Sequence, residues 1–469
     1  MKLRTTIATA GLVGAGLMVF VTGADAATTT YEAEAGTITA GLVESNHAGF
    51  SGSGFVNTDN AVGSAVQWSP QAVAGPATLR FRFANGTTAN RPMRITVNGT
   101  EVSAALAFNG TGAWTNWQEA SVTATLRAGA NTVLATSTTA TGGPNLDRLT
   151  VSDTVSTTPV AVNGQLRVCG VKLCNQYGQP IQLRGMSTHG LQWYPQCVNS
   201  ASLDALAGDW QADHLRLSMY IQEGGYETNP RLFTDRMHSL IEQVSARGMY
   251  VIVDWHQLTP GDPNANLAAA KTFFAEIAQR HGNKPNILYD VANEPNGTAW
   301  SRIKQYHEAI IPTIRAADPD AVILLGTHGW GSLGVSDGGN ETDVINNPVN
   351  ATNIMYTFHF YAGSHGTEYL NTLSRAADRI PVFVTEFGTQ TASGDGTNNF
   401  ARSQQYLDLM AQKKISWTNW NYSDDERSGA VFTAGTCPGG PFAGTSRLKP
   451  AGVWIRDHIK NPADNFPTS

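Results

Sequence analysis

Ile287-Leu288-Tyr289-Asp290-Val291-Ala292-Asn293-Glu294-Pro295 is a mostly apolar run that ends in an amide, a carboxylate and a proline. Similar runs flank it. Upstream are Ile181 to Ser187, His214 to Tyr220 and Tyr250 to His256; downstream are Val322 to His328, Ile354 to Tyr361, Pro381 to Gly388 and Ser416 to Ser423. Short apolar runs of this kind read as buried strands. Between most of them the apolar residues recur at helical spacing, over Arg231 to Arg247, Leu267 to His281, Trp300 to Ala317 and Asn399 to Lys413, with Gly248 and Gly282 as C-terminal stops. Eight such strand and helix units in about 300 residues predict an α/β fold of the (β/α)8 TIM-barrel type. A doubly wound sheet would need a phosphate-binding glycine fingerprint after its first strand, and Arg184-Gly185-Met186-Ser187-Thr188 is not one.

In a barrel the C-terminal end of each strand faces the active-site mouth, so polar residues there need a reason beyond packing. The first strand ends at His189, the second carries Arg216, the third ends at Asp254-Trp255-His256 and the fourth at Asn293-Glu294-Pro295. The sixth ends at His359-Phe360-Tyr361, the seventh at Glu386-Phe387-Gly388, and the eighth carries Trp420. Two glutamates on strands four and seven would project into one cleft, as glycoside hydrolysis requires. Glu294 can act as a proton donor only with a raised pKa, which a nearby second carboxylate supplies by repulsion. Glu386 must be ionised to attack an anomeric carbon, and Arg216 with a hydrogen bond from Tyr361 would favour that form. A separation of roughly 5 to 5.5 Å predicts retention. A lone glutamate at a strand end is commonly a surface ion pair. Asn293 directly before Glu294, with His256, His359 and Trp420 on other strand ends, makes that reading hard to sustain for the whole set. The His359 to His365 spacing fits no common zinc motif, so the histidines are read as partners of sugar hydroxyls or of the carboxylates. Trp193, Trp255 and Trp330 each have two readings, core or sugar platform.

At 469 residues the chain is long enough for two domains. Only 14% of residues are charged and the net charge is -6, which offers no field for a phosphate backbone and excludes nucleic acid as the expected partner. Residues 1–26 carry Lys2 and Arg4, an apolar stretch from Ile7 to Val21 and then Ala24-Asp25-Ala26, the pattern of a cleaved signal peptide. No later segment is long and apolar enough to span a membrane, so a secreted, extracellular protein is expected. In an oxidising compartment four cysteines imply disulfides, and of three pairings Cys169–Cys174 with Cys197–Cys437 is favoured, since the first pair flanks a short hairpin. Residues 27–153 are rich in Thr, Ala, Gly and Asn, with alternating runs such as Leu79-Arg80-Phe81-Arg82-Phe83 and a hairpin turn at Asn98-Gly99, which predicts a β-sandwich. Residues 154–162 lack turn chemistry and periodicity and read as a linker, leaving 163–469 for the barrel.

From about Asn163 to Ile459 the sequence resembles glycoside hydrolase family 5. The likeness rests on Asn293-Glu294-Pro295, Thr385-Glu386-Phe387-Gly388, Val253-Asp254-Trp255-His256 and the stretch from Arg184 to Trp193, which are similar to its bacterial cellulase branch. The resemblance implies a retaining endo-β-1,4-glucanase acting on cellulose or related β-glucans, with no cofactor for catalysis. It further implies Glu294 as acid/base, Glu386 as nucleophile, Asn293 on the substrate 2-hydroxyl, and Arg216 and Tyr361 holding the nucleophile. His256 and His359 would line the cleavage subsite and Trp420 would floor it. Many members of the branch have a lysine shortly after the serine that follows this tryptophan, whereas here Ser423 leads to Asp424-Asp425-Glu426. A β-mannanase or other hemicellulase could use the same scaffold, and a non-catalytic polysaccharide-binding protein is the third reading. The N-terminal region resembles carbohydrate-binding module family 35 or family 6 through Tyr31-Glu32-Ala33-Glu34-Ala35, Val97-Asn98-Gly99 and Asn145-Leu146-Asp147. That implies a jelly roll with a structural calcium on Glu32, Glu34 and Asp147 and a sugar site using Trp114 and Asn145. Trp117 is expected in the core. A monomer is the expectation for a secreted enzyme on an insoluble substrate.

Overall fold

The computed structural model describes residues 27–72, 75–127, 129–153 and 158–460, so the signal-peptide reading of residues 1–26 lies outside the described residues. The chain divides into two compact units, Met1–Ser156 and Thr157–Ser469.

In the first unit, one antiparallel sheet runs Gln118–Leu126, Gly75–Ala84, Asn145–Asp153, Phe55–Thr58, Gly41–Glu44, with Ala27–Glu32 also paired to Asn145–Asp153. A second runs Thr37–Thr39, Ala65–Trp68, Val133–Ser137, Met93–Val97, Thr100–Leu106. Period-two alternation sends Leu79, Phe81 and Phe83 inward, where they meet Trp68, Ile95 and Val133 of the other sheet in one core. The turn at Asn98 and Gly99 has φ of 51° and 82°, the left-handed pair that a two-residue hairpin demands.

The second unit is a closed barrel of eight parallel strands. They are β1 (Arg184–Thr188), β2 (His214–Tyr220), β3 (Tyr250–His256), β4 (Ile287–Asp290), β5 (Val322–Leu325), β6 (Ile354–Tyr361), β7 (Val382–Gly388) and β8 (Trp417–Tyr422). Every strand residue from β1 to β8 is buried, because the helices cover the outside and side chains fill the inside. Outer helices include α1 (Pro230–Ser245), α2 (Leu267–His281), α3 (Trp300–Arg315), α4 (Thr367–Ala376), α5 (Phe400–Lys413) and α6 (Pro450–Lys460). Gly248 ends the α1 connection at φ 70°, a conformation that favours glycine.

The fourth strand is shorter than the sequence reading. Beyond Asp290 the chain leaves the ladder, and Asn293 N–H donates to Trp255 O (3.1 Å) while Glu294 N–H donates to Gln257 O (3.3 Å). Of the segment 154–162, read as linker, Pro159–Asn163 is helical. Ala161 N–H donates to the Thr158 hydroxyl that caps this turn, and Val160 packs on the apolar cluster formed by the early strand residues. Five residues are too few to carry a period; the readable signal was Thr158-Pro159, an N-cap followed by proline at the first helical position.

Candidate active site

Arg216 sits at the floor of the barrel mouth, fully buried on β2. Its guanidinium donates to Asp290 Oδ2 (3.0 Å), Glu386 Oε2 (3.2 Å) and Asn293 Oδ1 (2.6 Å), and lies 3.1 Å from Asp254 Oδ2. A guanidinium keeps its charge at any working pH, so polar groups from three other strands are organised round one permanent cation. Asp254 and Asp290 are register neighbours on β3 and β4. Burial pushes both carboxyls up from their ordinary range, against the pull of Arg216.

Glu294 stands just past β4. Burial pushes its carboxyl up to about 8, Arg216 opposes, and the negative charges of Asp254 and Asp290 add to the rise. Its Oε1 is 2.8 Å from His359 Nδ1 on β6, and His359 Nε2 is 2.9 Å from the hydroxyl of Thr385 on β7. Glu386, the next residue on β7, accepts a 2.5 Å hydrogen bond from the Tyr361 hydroxyl at its Oε1. Glu294, His359 and Glu386 each present an atom within 4.8 Å of the other two, so the glutamate carboxylates approach closely enough for a sugar's anomeric carbon to be flanked by both.

Two further histidines are fixed by carboxylates. His256 Nδ1 lies 2.7 Å from Asp254 Oδ2, and burial holds the ring's pKa well below its usual value, so a neutral His256 donates from Nδ1 and keeps Nε2 as an acceptor. Its ring stacks on Tyr220 and on Trp420, with centroids 4.1 and 5.3 Å away. His189 Nδ1 accepts the Gly190 N–H (2.6 Å), and its Nε2 lies 3.4 Å from Asp425 Oδ2. The hydrogen bond from His189 holds the Asp425 carboxyl at about 2. Asn293 keeps its Nδ2 buried and without a partner, a donor left for a ligand.

His189, His256, Glu294, Tyr361, Glu386 and Trp420 line one cleft of about 860 Å³, while Arg216, Asn293 and His359 are buried behind its wall. Trp193 and Trp330, 42% and 45% exposed, stand in its wall, so both are surfaces against which a sugar ring can stack. Trp255 is instead fully buried against Tyr226 and Phe273 and belongs to the core. Trp330 has φ 60°, between Gly329 and Gly331 at 66° and 71°, and its N–H donates to Pro295 O (3.0 Å). A left-handed tryptophan costs about 1–2 kcal/mol, which the loop spends to keep an indole in the cleft. His365 accepts the Tyr361 N–H (2.9 Å) and stacks on Tyr369, leaving His359 as the histidine of the pair that meets the carboxylates. Cys197 is joined to Cys437 and Cys169 to Cys174; the first bridge ties the loop after β1 to the segment after β8.

In the N-terminal unit Ser51 gathers two of the three acidic residues. Its hydroxyl donates to Glu32 Oε2 (2.8 Å) and Asp147 Oδ2 (3.1 Å), and its N–H to Asp147 Oδ1 (2.7 Å). Glu34 Oε1 accepts from Ser53 N–H (2.7 Å), while its Oε2 is buried without a partner. Asp147 also pairs with Arg82. Glu32 ends one strand, Glu34 lies in the turn that follows it and Asp147 is on the strand paired with the first; the three are hard-oxygen donors, but among the described residues their oxygens do not all come within 4.8 Å of one another. Trp114 is half-buried, stacked on His47 with Arg91 over its ring (5.5 Å). Asn145 is buried, 3% exposed, so it can offer a ligand little surface. Trp117, expected in the core, is half-buried at the rim, where its indole N–H donates to Ala48 O and Arg82 covers the ring (5.4 Å). Its amphipathic ring is satisfied at a polar edge, which apolar counting does not register.

Sequence reasoning passed over Asp290, Thr385, Tyr220 and Asp425. Asp290 had a signal: a carboxylate inside an otherwise apolar strand must find a partner. Tyr220 and Thr385 had none, since both types are ordinary in strands.

The family model for cellulase (glycosyl hydrolase family 5) matches residues 174–426. Endoglucanase E-5 of Thermobifida fusca is 62% identical over 305 residues, which cover 65% of this chain and 65% of that protein, so the chain spans just under two thirds of its length. A crystal structure of a glutamate-to-glutamine variant of the catalytic domain of the Thermobifida fusca enzyme, in complex with cellotetraose, is 62% identical and covers 64% of this chain and 99% of that one, with a TM-score of 0.64. A family 35 carbohydrate binding module from Clostridium thermocellum is 46% identical and covers 27% of this chain and 99% of its own, with a TM-score of 0.27.

Proposed function

The chain belongs to glycosyl hydrolase family 5, the cellulase family, and from that premise we propose that it is a secreted endo-β-1,4-glucanase that cleaves cellulose or related β-glucans with retention. The observation that carries the reading is the pairing of a carboxyl raised to about 8, Glu294, with a second carboxylate, Glu386, whose oxygen lies within 4.8 Å. In the first step Glu386 forms a bond to C1 while the glycosidic bond breaks and the Glu294 proton passes to the departing oxygen. In the second, water gives its proton to the Glu294 carboxylate as its oxygen bonds C1 and the bond to Glu386 breaks. In this reading Asn293 Nδ2, a buried donor without a partner, would donate to the 2-hydroxyl, His256 Nε2 would accept from a sugar hydroxyl, and Trp420 would underlie the sugar at the cleavage point. No step needs a cofactor.

Reducing-sugar release from mixed-linkage glucan and from mannan tests the substrate. Glucan is expected to be cleaved at least about tenfold faster in kcat/KM, a difference of about 1.4 kcal/mol in transition-state binding. Faster mannan release would make this a mannanase on the same machinery, and binding without release would make it a polysaccharide-binding protein.

The N-terminal unit fits a carbohydrate-binding module in which Glu32, Glu34 and Asp147, from two paired strands and the turn after one of them, would hold a structural calcium and Trp114 would be the sugar contact. Calcium would compete for carboxylates now held by the Ser51 hydroxyl, the Ser53 N–H and the Arg82 guanidinium. Calorimetry of the full chain checks this: millimolar calcium is expected to raise one thermal transition, with Tm returning on chelation. A Tm that is the same with calcium and with chelator would rule the ion out.

A further inference from the structure

Thr385 precedes Glu386 on β7 and is fully buried, and its hydroxyl has one hydrogen-bond partner among the described residues, His359 Nε2. We propose that Thr385 is a positioning residue for the acid: its hydroxyl fixes the tautomer of His359, and the ring in turn decides which oxygen of Glu294 carries the transferable proton. The inference rests on the acid/base reading of Glu294 and deepens it.

A buried hydroxyl must place its proton, and among the described residues its one hydrogen-bond partner is His359 Nε2 at 2.9 Å. If Nε2 accepts, a neutral imidazole carries its hydrogen on Nδ1, which then donates to Glu294 Oε1 at 2.8 Å. The ring is fully buried, and burial holds its pKa below the usual value, in keeping with a neutral imidazole. Oε1 is therefore an acceptor whether Glu294 is protonated or not, and the acid proton resides on Oε2. The opposite tautomer would turn Nδ1 into an acceptor and draw the Glu294 proton into an internal hydrogen bond, away from the glycosidic oxygen. Threonine suits the task because a β-branched side chain on a strand has a stiff χ1, so the hydroxyl direction is fixed by the backbone that also carries Glu386. Thr385 thus couples the two carboxylate-bearing strands through one imidazole.

The test compares wild type, Thr385→Val and Thr385→Ser in kcat/KM on aryl β-cellobiosides whose leaving groups differ in basicity, 2,4-dinitrophenyl against phenyl. A good leaving group needs no proton, so a fault confined to the acid appears only with the poor one. Thr385→Val is expected to lose roughly 10- to 100-fold on the phenyl glycoside and under about threefold on the dinitrophenyl one. Its basic limb should move to higher pH, because the Glu294 carboxylate has lost a fixed donor. Thr385→Ser should restore both. Equal losses on the two substrates, an unaffected Thr385→Val, or a Thr385→Ser that fails as badly would each overturn the proposal. A wild type inactive on every β-1,4-glucoside would overturn the acid/base reading itself and this proposal with it.

Discussion

Glu386→Gln is expected to lower kcat/KM on β-1,4-glucan by at least about a thousandfold while leaving the fold intact. The amide keeps the size of the carboxylate; its oxygen can still accept from Arg216, 3.2 Å from Oε2 in the wild type, while its NH2 can donate to the Tyr361 hydroxyl oxygen, 2.5 Å from Oε1. It cannot form the glycosyl ester. Arg216 retains Asp254 and Asp290 as charge partners, so no cation is stranded in the barrel, and circular dichroism should match the wild type. Glu386→Ala, which opens space, adds a stereochemical check. Azide entering that space attacks C1 from the face the carboxylate has vacated, and the product is expected to be the α-glycosyl azide. A Glu386→Gln enzyme that keeps more than about a tenth of its activity would remove the nucleophile from this mechanism.

The barrel was readable in the sequence because its strands are buried on both faces, so they stand out as apolar runs with a change of character at one end. His214–Tyr220, Tyr250–His256 and Ile354–Tyr361 are strands over the spans read from the sequence. The site was readable for the same reason: Glu294, Glu386, His256 and Trp420 are polar or amphipathic groups where a barrel offers its mouth. What escaped is pairwise. Arg216 could be placed at the mouth, but the Asp254 and Asp290 carboxylates that orient it come from separate strands and meet it only when the barrel closes. Thr385 is an ordinary strand residue until His359 is seen to end on it. Trp117 and Trp255 show the limit for single aromatics, since burial depends on neighbours the local sequence does not name.

Glu294→Ala should lose almost as much on cellulose as the nucleophile variant, yet its defect should have a different signature. With the acid gone, hydrolysis of a poor leaving group is expected to fall roughly 100- to 10,000-fold, whereas formation of the glycosyl-enzyme from a dinitrophenyl cellobioside survives. The intermediate then accumulates, because no carboxylate activates water. Azide needs no general base, so it should accelerate turnover of that substrate and yield the β-glycosyl azide, the configuration opposite to the Glu386→Ala product. The same anion giving opposite anomers in two variants assigns the two roles without reference to any other protein. The pH behaviour follows from the raised carboxyl. Wild-type kcat/KM is expected to fall above about pH 8, where Glu294 loses its proton, and the variant should lack that limb. Stability also falls with rising pH, over a lower window. A carboxyl with an ordinary value of 4.5 and a folded value of about 8 binds its proton more tightly in the native state, so folding stability declines as pH rises through that window. Glu294→Gln removes the titration, and its Tm advantage over the wild type is expected to widen from pH 4.5 to pH 8. A variant that loses activity but gains no such advantage would mean that the carboxyl is not held protonated by its surroundings, and the proton for the leaving group would have to come from elsewhere.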